Sequence, residues 1–232
     1  TRDIEKIGWE NININFGSLI GHLIGDGSIE KKYRQVFFSN SNKELLFEFE
    51  GFMKEIFKIS PRFWIQTRNG FNEKNWWIKR EKEISLLDSR FSGGLFYPTI
   101  CGDVLHAIFG KFAIGKKKKI TSQIKSCSND FKIGLIRAFF DDECTVYIKS
   151  QCIRVFQDRK ELLEDVRFIL HELGINTNTI RSYFKRDIER FYFNISHVKN
   201  YYKFYKIIGF TSKDKLRKLE VLIYNTRNSK KI

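Results

Sequence analysis

The sequence predicts an α+β fold of two related halves, and three observations predict it. Two short apolar segments with small residues at helical spacing, each ending in a carboxylate, recur at an offset of 117 residues: Gly17 falls on Gly134, Gly21 on Ala138, Gly25 on Asp142 and Asp26 on Glu143. At the same offset Lys43-Glu44-Leu45-Leu46 returns letter for letter as Lys160-Glu161-Leu162-Leu163. The stretches between these helices alternate apolar and polar residues, the period of half-buried strands. The expected architecture is two pseudo-symmetric αββαββα halves, packed through a central helix pair, with a saddle-shaped β-sheet surface.

Element by element, the first apolar helix runs through Gly17–Ile24, and alternation at Gln35 and Phe37 marks a strand. Leu45, Phe49, Phe52, Met53 and Ile56 recur at helical spacing after Asn42, a residue suited to an N-cap. Arg62, Trp64, Gln66 and Arg68 then alternate again. Further on the offset drops to 95, where FYPTI at 96–100 faces FYFNI at 191–195. The first half therefore carries roughly 22 extra residues, expected around 80–94. Basic, polar Lys116–Ser128 reads as a linker, so the halves are expected at 1–115 and 129–232. In the second half Arg154 alternates with Ile153 and Val155. The helix after Asp158, its expected N-cap, buries Leu162, Val166, Ile169, Leu170 and Leu173 and stops at Gly174. Arg181, Tyr183 and Lys185 alternate with Ile180 and Phe184, and Arg190, Tyr192 and Asn194 with Phe191, Phe193 and Ile195. A final helix is expected over about Asp214–Tyr224, with Asn225–Ile232 frayed.

The net charge of +15 calls for a polyanionic partner, most simply nucleic acid. No apolar run approaches the roughly 18–20 residues of a membrane span, and the N-terminal stretch lacks a signal pattern, so an intracellular protein without a membrane partner is expected. Cys101, Cys127, Cys144 and Cys152 form no Cys-x-x-Cys pair and read as reduced, mostly buried thiols. His22, within the first apolar helix, reads as a satisfied packing residue.

The polar strand faces admit two readings: a solvated sheet, or a surface lying on DNA where Arg and Gln meet base edges and Lys meets phosphates. The charge and the matching faces in both halves favour the second. The expected contacts are Gln35, Arg62, Gln66, Arg68 and Lys79 in the first half. In the second they are Arg154, Arg181, Tyr183, Lys185, Arg190 and Asn194.

GSLIGHLIGDG at 17–27 and LIRAFFDDEC at 135–144, each followed by the Lys-Glu-Leu-Leu helix, resemble the LAGLIDADG homing endonucleases, over roughly residues 12–224. The resemblance makes Asp26 and Glu143 the metal-binding acids, with Gly25 and Asp142 beside them. Carboxylate oxygens at helix C-termini suit a hard cation, Mg²⁺ or another divalent ion such as Mn²⁺ or Ca²⁺, and two adjacent acids repel unless a cation neutralises them. It also implies one basic residue per half, nominated as Lys118 and Lys213, with Lys215 as a competitor. Gln157 is the expected polar partner of catalytic water, and Asn40 its first-half counterpart.

The implied activity is site-specific, double-strand cleavage of a long asymmetric DNA target by a monomer. An RNA maturase on intron RNA, or an inactive DNA-binding protein, is the alternative on the same fold. The chain starts at Thr1 and ends Lys-Lys-Ile, so an intron-encoded protein or an excised endonuclease domain is expected rather than a self-splicing segment. Two residues depart from the motif: Asp142 stands at a small position, and Cys144 where the first copy has Gly27. Cysteine would be strained there if the position needs positive φ, and the two half-sites are expected to be inequivalent.

Overall fold

The computed structural model describes residues 12–67, 76–77, 91–115 and 117–228. The first half runs α1 (Ile14–Ile24), β1 (Gly27–Ile29), β2 (Val36–Asn40), α2 (Lys43–Phe57), β3 (Arg62–Thr67), β4 (Trp76–Trp77), β5 (Phe91–Tyr97), α3 (Thr99–Phe109), β6 (Ala113–Ile114), β7 (Lys117–Lys118) and α4 (Ser122–Lys125). The second runs α5 (Asn129–Glu143), β8 (Cys144–Tyr147), β9 (Cys152–Gln157), α6 (Lys160–Glu172), β10 (Arg181–Lys185), β11 (Ile188–Ile195), α7 (Val198–Ile207) and α8 (Lys213–Asn228). The expected αββαββα order is present in the second half, followed by α8; in the first, three strands stand between α2 and α3, and β6, β7 and α4 follow.

Helices α1 and α5 form the centre. Asn13 starts α1 by accepting from the N–H groups of Asn15 and Phe16 at 3.0 and 3.2 Å, and Ser128 starts α5 by accepting from Phe131 N–H at 3.3 Å. From Phe16 to Ile24 every residue of α1 is buried, so this helix is core on all sides. Its small residues explain how close the pair comes. A Cβ on Gly17 would lie 2.0 Å from the Phe131 carbonyl oxygen, and one on Gly134 would lie 2.0 Å from that of Ile14. Two glycines related by the repeat thus let each backbone reach the other, and alanine at either would force the helices apart.

Each half wraps a sheet around this pair. The first sheet has seven strands in the order β4-β3-β5-β2-β1-β6-β7, antiparallel except where β1 meets β6. The second has four antiparallel strands, β10-β11-β9-β8. Inward side chains such as Ile29, Val36, Phe38, Leu95, Ile153, Val155, Phe193 and Ile195 meet α1, α2, α5 and α6 in one continuous core. Phe38 stacks on Phe49 with ring centroids 4.5 Å apart. Each such side chain stabilises the fold by roughly 1.5–3 kcal/mol of burial.

Several expectations hold in detail. Asn42 caps α2 through Glu44 N–H at 2.9 Å. Gly174, at φ +74°, follows α6, and the Ile175 N–H returns to the Leu170 carbonyl at 2.8 Å, a Schellman closure. Others need correction. Asp158 does not cap α6; its carboxylate pairs with Arg190 at 2.8 Å, and Arg159 takes the cap position without a side-chain bond. Phe184 faces no core, being 72% exposed, because β10 is an edge strand overhanging the helices. Helix α8 continues past Tyr224 to Asn228, since Thr226 is buried and its hydroxyl donates to the Leu222 carbonyl and accepts from Tyr201.

A tight turn at 186–187 joins β10 to β11, whereas residues 68–90 separate β3 from β5, so the extra length of the first half lies between those two strands. The basic stretch expected as a linker contributes β7 to the first sheet and holds α4, capped by Thr121. Cys101, Cys144 and Cys152 are buried, and Cys127 partly so. Among the described residues no helix is long and apolar enough to cross a membrane.

Candidate metal centre and nucleic-acid surface

The two central helices end side by side, and each hands over directly to a strand, so Asp26 and Glu143 stand at the junction of the halves. Each acid is gripped by an amide from the second strand of its own sheet. Asn40 Nδ2 donates to Asp26 Oδ2 at 2.9 Å, and Gln157 Nε2 donates to Glu143 Oε1, also at 2.9 Å. The repeat pairs Asn40 with Gln157, and the structure gives both the same task.

A lysine approaches the end of each helix. Lys118 Nζ donates to the Gly25 carbonyl. In the second half Lys215 Nζ donates to the Phe140 carbonyl at 3.1 Å and to the Asp141 carbonyl. Lys213 is not brought there. It opens α8 with its side chain 88% exposed and pairs with Glu44 at 3.4 Å. The reason is local: Asp141 accepts from Thr211 and Ser212 N–H at 2.8 and 3.1 Å, which fixes the entry to α8 and turns Lys215, not Lys213, inward.

Charge is crowded here. Enclosure by protein, and then the neighbouring charges of Asp142 and Glu143, push Asp26 up to about 8, although the residue still reaches solvent. Burial raises Glu143 to about 7 against the pull of Lys118. Burial holds Lys118 below the usual lysine range, opposed by all three acids. Carboxylates crowded in this way repel one another when ionised, and the Lys118 ammonium, on the Gly25 carbonyl, brings a positive charge beside them. The donor set is carboxylate and main-chain carbonyl oxygen, which fits a hard divalent ion of the Mg²⁺ type. No group of three or more His, Cys, Asp and Glu side chains among the described residues forms a cage by itself.

Asp142 shows why the second motif tolerates a large residue. Its carboxylate fills the space left by Gly25, where a Cβ would lie 2.4 Å from Asp142 Oδ2. It accepts from Asp26 N–H and Asn40 Nδ2, each at 3.3 Å, and meets His22 Nδ1 at 3.0 Å. His22 is fully buried, and its Nε2 meets Glu48 at 3.2 Å. The sequence marked His22 as a satisfied packing residue; its partners, Asp142 and Glu48, lie 120 and 26 positions away, beyond any local signal. Cys144 begins β8 at φ −111°, ψ 163°, ordinary extended backbone, so the strain considered for cysteine at this position is absent.

On the second sheet the register places Arg154 opposite Asn194, Arg181 opposite Tyr192 and Tyr183 opposite Arg190. These residues and Lys185 therefore share the face turned away from the core. Arg154 donates to Asn194 at 2.8 Å, with its guanidinium 4.7 Å from the Tyr192 ring and 5.2 Å from that of Tyr147. Phe156, Tyr183 and Tyr192 pack edge to edge on the same face. Tyr192 stands on the polar face that the alternation assigned to it, and the register adds Phe156 to that face. In the first half Gln35 and Arg62 are exposed, and Gln66 lies opposite Ser92 in β3. Arg68 and Lys79 lie outside the described residues.

Comparison with known proteins bears on the fold. Residues 130–209 match the family model of the LAGLIDADG-like domain. The homing endonuclease I-DmoI, in a structure with DNA and Mn, superposes with a TM-score of 0.54 over 85% of this chain and 97% of its own, at 18% identity. Other I-DmoI structures were obtained with target DNA and Mg, or with DNA and Ca. The full-length DUF199/WhiA protein of Thermatoga maritima superposes with a TM-score of 0.56 over 97% of this chain and 64% of its own, at 14% identity. In sequence, the chain is 26% identical over 211 residues to a glutamine–fructose-6-phosphate aminotransferase of Methanocaldococcus jannaschii; the match covers 88% of this chain and 17% of that protein's length. The chain thus carries a LAGLIDADG-like domain and has the fold of the LAGLIDADG endonucleases over most of its length.

Proposed function

We propose that this chain is a site-specific DNA endonuclease that cuts both strands of a long asymmetric target with a divalent cation, Mg²⁺ being the expected ion. The observation that carries this reading is the doubled acid–amide–lysine arrangement: Asp26 with Asn40 and Lys118, and Glu143 with Gln157 and Lys215, at the ends of two helices in backbone contact. A noncatalytic binder has no need to hold two carboxylates against their own repulsion.

Asp26, Glu143 and the carbonyls at the two helix ends would hold the metal. When bound, it supplies an activated water and a positive charge at the scissile phosphate. Asn40 and Gln157 fix the orientation of the acids. The Lys118 and Lys215 ammonium groups would offset negative charge as it develops on the phosphate. The outward faces of the two sheets would supply guanidinium and amide groups for base edges and lysines for phosphates. Because the faces differ, the target is non-palindromic.

The second reading on the same fold is DNA binding without cleavage; the presence of both acids, Asp26 and Glu143, argues for the first. The match to a 17% segment of an aminotransferase supports an element carried within a longer coding sequence, and no amino-transfer chemistry is assigned to it. The test is a plasmid library of candidate targets incubated with the protein in Mg²⁺ or in chelator. Linear product in Mg²⁺ alone is expected, and it should disappear for Asp26→Asn and Glu143→Gln while specific binding remains. Specific binding with no cleavage in any divalent ion would establish the second reading instead.

A further inference from the structure

His22 has a role that neither packing nor the acid pair explains. Its ring lies in the middle of an apolar helix, fully buried, with Phe38 and Phe49 at centroid distances of 4.9 and 6.1 Å, so it cannot swing aside. Both ring nitrogens face carboxylates, Asp142 at 3.0 Å and Glu48 at 3.2 Å. An ionised carboxylate only accepts, so a ring bonded on both sides donates from both nitrogens and carries a positive charge.

Each carboxylate it meets then reaches further. Asp142, whose side chain is also fully buried, accepts from the Asp26 backbone and from Asn40, the amide that grips Asp26. Glu48 accepts from the Thr211 hydroxyl at 2.9 Å. The chain Asp142–His22–Glu48–Thr211 therefore crosses between the halves twice. The device is one-sided, because the repeat sets Phe139 at the position of His22 and Gly25 at that of Asp142.

We infer that His22 is a positioning residue for the Asp26 half of the site, an obligate partner of Asp142 that holds this carboxylate against the Asp26 backbone and Asn40, and so fixes where Asp26 stands. Removing His22 leaves a buried carboxylate unpaired beside two other acids, which is far worse than removing both members. The two departures from small or apolar residues at these positions are then one compensated exchange.

The inference rests on the endonuclease reading for its catalytic readout, and its stability readout is independent of it. The experiment is a double-mutant cycle in the full chain, comparing His22→Phe, Asp142→Ala and the pair by thermal unfolding and by strand-resolved nicking. The His22→Phe substitution is expected to lower the unfolding midpoint by roughly 5–10 °C. It should also slow the strand cut that depends on Asp26 on the order of tenfold relative to the other cut. The double variant should recover most of the stability loss and cut the Asp26-dependent strand no more slowly than Asp142→Ala alone. A His22→Phe chain that fails to fold beside a double variant that folds is the same result. Additive losses, a silent His22→Phe, equal slowing of both cuts, or failure of both variants to fold would overturn the inference. If the wild type cuts no DNA, the endonuclease reading fails while the unfolding cycle still decides the pairing.

Discussion

The two acid sites share one construction and differ in their surroundings. Asp26 and Glu143 are each gripped by an amide at 2.9 Å and approached by a lysine on the helix-end carbonyls. A third acid, Asp142, accepts from the Asp26 backbone and meets the buried His22, while the repeat sets Gly25 and Phe139 at the corresponding positions of the other half. What both sites keep is the acid, amide and lysine that the proposed function calls for. What differs is the packing that closes the helix pair, which can be done with small residues or with a compensated ion pair. A duplicated fold thus holds its chemistry fixed while its interface drifts.

The strongest way to break this comparison is to exchange the lysines. Lys118→Met and Lys215→Met are each expected to slow cleavage by about 10²-fold with little loss of binding, because each removes a charge aimed at the reacting phosphate. Lys213→Met should leave the rate near wild type, since that ammonium pairs with Glu44 at the surface. Single-turnover cleavage beside a binding titration separates the two effects, and a Lys213→Met defect matching that of Lys215→Met would erase the equivalence of Lys118 and Lys215.

A second prediction uses the protons on the acids. Folding raises Asp26 to about 8 and Glu143 to about 7, so between about pH 4 and pH 8 the metal-free folded chain holds protons that the unfolded chain has lost. The stability tied to these groups is complete below the ordinary carboxylate range and is lost as pH rises through about 7 and then about 8. A divalent ion requires the ionised forms, so its stabilising effect should grow across the same window. Thermal midpoints with and without Mg²⁺ along a pH series check this, and an increment independent of pH would contradict it.

The smallest expected effect concerns Cys144. Its extended backbone gives glycine no strain to relieve, and the side chain is buried. Cys144→Gly should therefore cost about 1 kcal/mol in a denaturant titration, through backbone entropy and lost packing. A gain in stability would restore the strain argument.

The fold was legible because the repeat is written in residue types that have few alternatives. Gly17 and Gly134 each admit a backbone 2.0 Å from where a Cβ would sit, so neither position can drift. The two acids were legible for the same reason, as was the pairing of Asn40 with Gln157. The second lysine was harder. Lys213 and Lys215 are equally basic and both precede the same amphipathic face; only the bonds from Thr211 and Ser212 to Asp141 decide which turns inward. His22 looked like filler because its partners come from α5 and α2, whereas alternation alone put Tyr192 on the polar face where the register has it. Phe184 misled, since alternation does not reveal that β10 is an exposed edge strand.

The most direct test of two inequivalent cutting sites is a strand-resolved time course on a supercoiled target in Mg²⁺, run for wild type, Asp26→Asn and Glu143→Gln. The wild type should pass through a nicked circle, with one strand cut at a distinguishably faster rate, before linear product forms, and neither variant should make linear product. Concerted cleavage of both strands with no nicked intermediate, or linear product from either variant, would contradict the account.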